Sequence, residues 1–181
     1  MSTTVLAITG LPGSGKSEAT KFFKDKAYPV LRFGDAVEEE IKNQNLPLTE
    51  ENEHKVRTEL REKYGMHAMA SLLIPRLEAA MAEHKIIVLD GMKSYEEYVF
   101  LTKSEFKIVT VAVLCEKKLR YERLATRAYR PLTIQEAEHR DINEVMDLHI
   151  GPTIALADFY VLNTTTIDQL HAQLTSILTT I

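Results

Sequence analysis

The chain has 181 residues, 45% of them hydrophobic and 27% charged, with a net charge of −4; this is the make-up of one globular domain able to bury a proper core. An acidic balance provides no general field for nucleic acid and excludes it as the main partner. One cysteine, Cys115 in the apolar run IVTVAVLC, excludes an internal disulfide or a cysteine-based zinc cluster and reads as a small buried residue.

The six histidines show no metal-ligand spacing such as HExxH. The start, MSTTVLAITG, has the features of neither a secretory signal nor a transit peptide, and no apolar run is long enough to span a bilayer. The expectation is a cytoplasmic protein with no membrane partner.

Strand and helix signals alternate along the chain. VLAIT (5–9) is an apolar strand closed by Gly10, and KSEATKFFKDKA follows as a helix. YPVLRF (28–33) is a second strand, then helical patterns run from Asp35 to Asn43, from Thr49 to Tyr64 and from Met66 to Glu83, with Pro75 expected to bend or divide the last. Asp35 and Glu38 read as N-cap and third residue of the first of these helices. IIVLD (86–90) is a buried strand by its β-branched run, and Ser94-x-x-Glu97 is a capping box opening another helix. FKIVTVAVL (106–114) is the strongest strand. The following helix is expected to continue to Arg130, where Pro131 stops it; Thr133-x-x-Glu136 opens the next, to Leu148. DFYVLN (158–163) is a last strand and Thr166-x-x-Gln169 caps a closing helix. Five apolar strands separated by helices predict an α/β fold, a parallel sheet covered on both faces. No linker or repeat divides residues 1–181, so they form one domain, with 35–84 as an inserted helical acceptor-binding region.

Gly10-Leu11-Pro12-Gly13-Ser14-Gly15-Lys16-Ser17 satisfies GxxxxGK[ST] at every position. The glycines Gly10, Gly13 and Gly15, with Ser14, let backbone amides turn inward around phosphate oxygens, and the helix that follows adds its N-terminal dipole. Lys16 is placed to reach the β- and γ-phosphates and the Ser17 hydroxyl to ligate Mg²⁺. Asp90, at the end of an apolar strand, is the matching carboxylate for the metal. There is no NKxD or DxxG for guanine recognition or switching, and size argues against a motor or AAA module. What remains is a small kinase closing a lid over its nucleotide. Arg120, Arg123 and Arg127 fall at i, i+3, i+7, with Arg130 and Arg140 close by. In an acidic chain such a concentration points to an anionic ligand, as phosphoryl transfer requires.

The segments TGLPGSGKSE, FGDAVEEE, LREKYGMHAMA, VLDGMKS, RYERLATR, HRD and IALADFYVLN together resemble the nucleoside monophosphate kinase and dephospho-CoA kinase branch of P-loop proteins. The resemblance is closest to the adenylate-kinase-related, uncharacterised nucleotide kinases best known from archaea. It implies a P-loop NTPase three-layer α/β/α sandwich, strand order 2-3-1-4-5, with a short lid over 127–140. It also implies ATP and Mg²⁺ as cofactors and a small nucleotide acceptor, in a monomer or homodimer. Carried over by residue, it puts Asp90 near Mg²⁺, packs Arg123 on the adenine, sets Arg127 on the donor phosphates and lets Arg140 bridge to the transferring group. Asn163 falls near the adenine and Asp35 at the acceptor site. The chain departs from that pattern at two places: Glu38 stands where relatives carry a phosphate-gripping arginine, and Lys93 replaces an arginine.

Replacement charge is available. Arg57 and Arg61 share a face of one predicted helix, and Arg61 with Lys93 is the candidate grip on an acceptor phosphate. The expected activity is transfer to a nucleoside monophosphate, whose phosphate needs no base. The alternatives are a dephospho-CoA kinase with Asp35 as base and a nucleotide-binding regulator without turnover.

Overall fold

A computed structural model describes residues 3–181; Met1 and Ser2, the first residues of the stretch MSTTVLAITG, lie outside them. β1 (Thr4–Thr9) is buried at every position and leads through the glycine loop into α1 (Lys16–Asp25). β2 (Val30–Arg32) is short and runs directly into α2 (Phe33–Asn43), followed by α3 (Glu50–Tyr64) and α4 (Ala68–Met81). Next come β3 (Ile86–Asp90), α5 (Tyr95–Thr102), β4 (Lys107–Leu114), α6 (Lys117–Thr126) and α7 (Ile134–Met146). A one-and-a-half-turn helix α8 (Ile150–Ala155), then β5 (Phe159–Leu162) and α9 (Ile167–Thr180), complete the chain.

The five strands form one parallel sheet in the order β2-β3-β1-β4-β5, as expected. Strand side chains alternate between two apolar layers. Val5, Ala7, Ile87 and Leu89 pack with buried residues of α2, α3, α4 and α5, whereas Leu6, Ile8, Val88, Val111 and Val113 pack with α1 and α9. Burial on both faces explains why these strands read as continuous hydrophobic runs rather than alternating ones. The winding reverses at β1, between β3 and β4, so the crevice of the fold opens at the carboxyl end of β1, where the glycine loop begins.

Four local expectations are corrected. α4 passes through Pro75 without dividing, its first turn secured by the Ser71 hydroxyl donating to the Ala68 carbonyl. α2 begins two residues early: Arg32 is its N-cap and Asp35 its third residue, the Asp35 carboxylate accepting from the Arg32 amide at 3.2 Å. α6 ends at Thr126, not Arg130, because Arg127 turns extended (φ −65, ψ 144). The Leu132 amide then donates to the Leu124 carbonyl, and Leu132 packs on a small separate core of Tyr121, Leu124 and Ala137 between α6 and α7. Finally, α8 is unforeseen, since Gly151-Pro152 reads as a break; Pro152 sits in its first turn, where a missing amide costs nothing.

Both Ser94 and Thr133 cap as expected. Ser94 is fully buried, accepts from the Glu97 amide at 3.0 Å and donates to the Met66 carbonyl at 3.2 Å, tying α5 to the end of α3. Replacing Ser94 by alanine removes the cap and leaves a buried carbonyl unpaired. The expected loss is about 1–2 kcal/mol of unfolding free energy in urea titration; a loss under about 0.3 kcal/mol would contradict this account.

Candidate active site

The glycine loop closes around inward-facing backbone because two neighbours, Arg120 and Asn163, leave no room for side chains. At Gly13 (φ 76) a Cβ would meet the Arg120 carbonyl oxygen at 2.6 Å, and at Gly15 (φ 104) it would collide with the Asn163 amide nitrogen. Asn163, 5% exposed at the end of β5, donates to the Ser14 carbonyl at 2.9 Å. It braces the underside of the loop. The Lys16 ammonium donates to the Gly10 and Leu11 carbonyls at 2.6 and 3.1 Å, stretched across the cradle that phosphates fit. Burial, with the repulsion of Lys93 and Arg140, pulls its pKa down to about 8 against the attraction of Glu144 and Asp90. Ser17 is exposed at the head of α1, and Asp90 stands at the carboxyl end of β3 with no hydrogen bond or ion pair among the described residues. A hydroxyl at the head of α1 and an unengaged carboxylate at the end of β3 are oxygen donors of the kind that fit Mg²⁺.

A second cluster lies beside Lys16. The Lys93 ammonium donates to Glu144 Oε1 at 2.6 Å and Arg140 Nε approaches the same oxygen at 3.4 Å. Glu144 is 4% exposed, and its Oε2 is buried with no partner. Burial would push this carboxyl up, but Lys93, Lys16 and Arg140 outweigh it and hold it below the usual range. Arg57 and Arg61 complete the cluster from α3. Burial lowers both guanidinium pKa values, with Glu53 the leading counter-charge at Arg57 and Glu97 at Arg61. Neither forms an ion pair with Glu53 or Glu62, and the buried Nε of Arg61 has no hydrogen-bond partner. Glu97 is fully engaged: its Oε2 accepts from the Lys93 and Ser94 amides at 2.9 and 3.0 Å.

The arginines divide by what they touch. Arg120, 4% exposed, donates to Pro12 of the loop at 2.9 Å and bidentately to Asp141 of α7 at 2.9 and 2.5 Å, with the Tyr121 hydroxyl on the same carboxylate. Its charge is spent on architecture. Arg130 makes a two-pronged pair with Glu53 at 3.2 Å, joining the α6–α7 turn to α3. Arg123 donates to Cys115 Sγ at 3.3 Å and lies at the end of β4. Arg127 is held by its Nε on the Arg130 carbonyl at 2.6 Å; its terminal nitrogens make no ion pair among the described residues.

The acids of α2 stand apart from this cleft. Arg32 pairs with Asp35 at 3.3 Å and with Glu38 at 3.2 Å, and Arg76 pairs with Glu39 at 2.5 Å. Asp35, Glu38 and Glu39 line an outer hollow of about 410 Å³ between α2 and α4. The geometry thus brings together Lys16, Asp90, Lys93, Arg140 and Arg61 and leaves Asp35 engaged by Arg32. Sequence reasoning missed Glu144, Asp141 and Glu97 as parts of the site. The spacing of Arg140 and Glu144, i and i+4 on one helix, was the available signal for the first.

Comparison with known proteins bears on the family and the fold. Residues 6–144 match a family described as AAA domain. The size argument against such a module is therefore corrected: a single P-loop domain of this kind fits within a chain this short. The chain is 36% identical over 164 residues to a UPF0200 protein of Thermococcus onnurineus, covering 88% of each, and 34% identical over 183 residues to a UPF0200 protein of Pyrococcus furiosus, covering 98% and 97%. Its fold is similar to that of a shikimate kinase from Bacteroides thetaiotaomicron, with a TM-score of 0.61 at 15% identity over 98% of this chain and 97% of that one. The chain belongs to the UPF0200 family and has the fold of P-loop kinases.

The Arg120–Asp141 pair, 5% and 14% exposed in its side chains, carries the first prediction for this site. Arg120→Met strands a buried carboxylate and should cost about 3–5 kcal/mol. Arg130→Ala, removing a more exposed pair, should cost about 1 kcal/mol or less. Chemical denaturation distinguishes them; equal losses would show that Arg120 is not the brace described.

Proposed function

We propose that this UPF0200 chain is a kinase that moves the γ-phosphoryl group of ATP, with Mg²⁺, to a small nucleotide, a nucleoside monophosphate first among acceptors. The observation that carries the reading is the pairing of two features across one crevice. On one side stands a phosphate cradle with Lys16 across it; on the other is a half-buried arginine, Arg61, whose buried Nε finds no hydrogen-bond partner among the described residues. A buried guanidinium N–H left unpaired is costly, even with Glu97 as a nearby counter-charge. It is kept where a ligand supplies the anion.

Roles follow from position. The loop amides and Lys16 hold the β- and γ-phosphates, Ser17 and Asp90 hold the metal ion, and Arg127, Arg123 and Asn163 frame the donor nucleotide. Mg²⁺, when bound, offsets charge on the phosphate oxygens and orients them. Arg61 and Lys93 grip the acceptor phosphate, replacing the arginine that Glu38 displaces. An acceptor phosphate oxygen attacks the γ-phosphorus, the bond to the β–γ bridging oxygen breaks, and ADP leaves. Arg140 and Lys16 balance the charge that builds between donor and acceptor, and closure of the 127–140 segment excludes water. A phosphate nucleophile is already ionised at neutral pH, so this scheme needs no base. Asp35, committed to Arg32 and the α2 cap, is poorly supported as one.

The test is ADP release from ATP against AMP, CMP, UMP, the deoxynucleoside monophosphates and dephospho-CoA, with Lys16→Ala as control. Acceptor-stimulated release from a monophosphate, lost in the control, is expected. No acceptor-stimulated release with any member of the panel would leave nucleotide binding without transfer and overturn the proposal. Within the same assay, Arg61→Ala should raise the acceptor KM about 10- to 100-fold and leave the ATP KM within about 2-fold; an unchanged acceptor KM removes Arg61 from the site.

A further inference from the structure

Glu144 has no place in that scheme as it stands. It is a carboxylate set where a kinase gathers phosphate, and an ion pair retained only for stability would be expected to use both oxygens. Here Oε1 carries Lys93 at 2.6 Å and Arg140 at 3.4 Å while Oε2 is buried and unpaired.

The groups facing it come from each neighbouring element. Lys16 stands at the head of α1, Lys93 follows β3, Arg140 is one turn back on α7, and Arg57 and Arg61 come from α3. The nearest other carboxylates are occupied or distant in role: Glu97 caps α5, and Asp90 faces the metal position at the end of β3. Glu144 thus acts on all five of these cations, beside Glu53 at Arg57, Glu97 at Arg61 and Asp90 at Lys16. The remaining positive charge, with the unpaired Arg61 Nε, marks room for a second anion or for exchange of the first.

We propose that Glu144 is a positioning residue that acts as the cleft's internal anion: it holds Lys93 and Arg140 in the substrate-free protein and gives them up to the phosphate monoester of the acceptor. This rests on the kinase reading and deepens it, because it makes the acceptor's anionic group compete with a residue of the protein. Two opposite effects follow on removing its charge. The acceptor anion binds more tightly, since nothing occupies its cations beforehand. Turnover falls, since Lys93 and Arg140 are no longer aligned until it arrives. A merely structural pair would weaken both.

The experiment uses the full chain with its donor site filled by saturating Mg²⁺ and a non-hydrolysable ATP analogue, and measures binding of inorganic phosphate by calorimetry. Glu144→Gln should bind phosphate at least 5-fold more tightly than the wild type, and Lys93→Met at least 5-fold more weakly. Glu144→Asp, which keeps the charge but withdraws it by one methylene, should bind about 2-fold more tightly, and it decides the matter if the Gln variant does not fold. With the acceptor found in the panel above, Glu144→Gln should lower both KM and kcat, and Glu144→Asp should recover part of kcat. Unchanged or weaker phosphate binding in the folded Glu144 variants, or none in any form of the protein, overturns the proposal. Failure of the ATP analogue itself to bind would instead overturn the kinase reading on which it rests.

Discussion

Like charges held together in one crevice are the constraint on which this structure turns. Lys16, Lys93, Arg57, Arg61 and Arg140 converge from three helices and a strand end, and each is electrostatically coupled to the buried carboxylate of Glu144. Burial alone lowers the pKa of Lys16, Lys93, Arg57 and Arg61, meaning that the fold works against their charge. A protein keeps such an arrangement only with compensation, part of it internal and part from a ligand. Packing elsewhere therefore has to hold the backbone rigid under this repulsion.

Two braces do so from opposite sides of the phosphate loop. Asn163 reaches from β5 to the Ser14 carbonyl, and Arg120 links the Pro12 carbonyl to Asp141 of α7. The second connects the loop to the same helix that carries Arg140 and Glu144. Movement of α7 is thereby coupled to the cradle through a buried bidentate contact, while Arg130 and Glu53 connect the turn before α7 to α3. Polar contacts thus join the phosphate loop to α7 and the α6–α7 turn to α3. The apolar layers above and below the sheet keep these contacts in register.

Much of this was legible along the sequence. The phosphate loop is a local motif whose glycines have local reasons, and the strands declare themselves as apolar runs because both sheet faces are covered. Elements governed by tertiary contacts were not legible. The stretch after Thr126 has helix-compatible residues as far as Pro131, but burying Leu132 against Tyr121 and Leu124 turns the chain first. Asp35 looks like an N-cap by type, yet the cap lies three residues earlier because β2 feeds straight into α2. The arginine stripe of α6 reads as an anion site along the sequence, but Arg120 itself answers to Asp141. Glu144 offered only its i, i+4 spacing from Arg140, because its nearer partner Lys93 lies 51 residues away in sequence.

The central claim is that two phosphate-bearing groups meet across this crevice, one over Lys16 and one at Arg61 and Lys93. A bisubstrate compound, two nucleosides joined by a chain of four to six phosphates, measures that directly when its affinity is compared with that of ATP. The account predicts binding at least about 10-fold tighter than ATP, equivalent to roughly 1.4 kcal/mol or more, with the gain lost in Arg61→Ala while ATP binding persists. Affinity no greater than that of ATP, or a gain insensitive to Arg61, would contradict it.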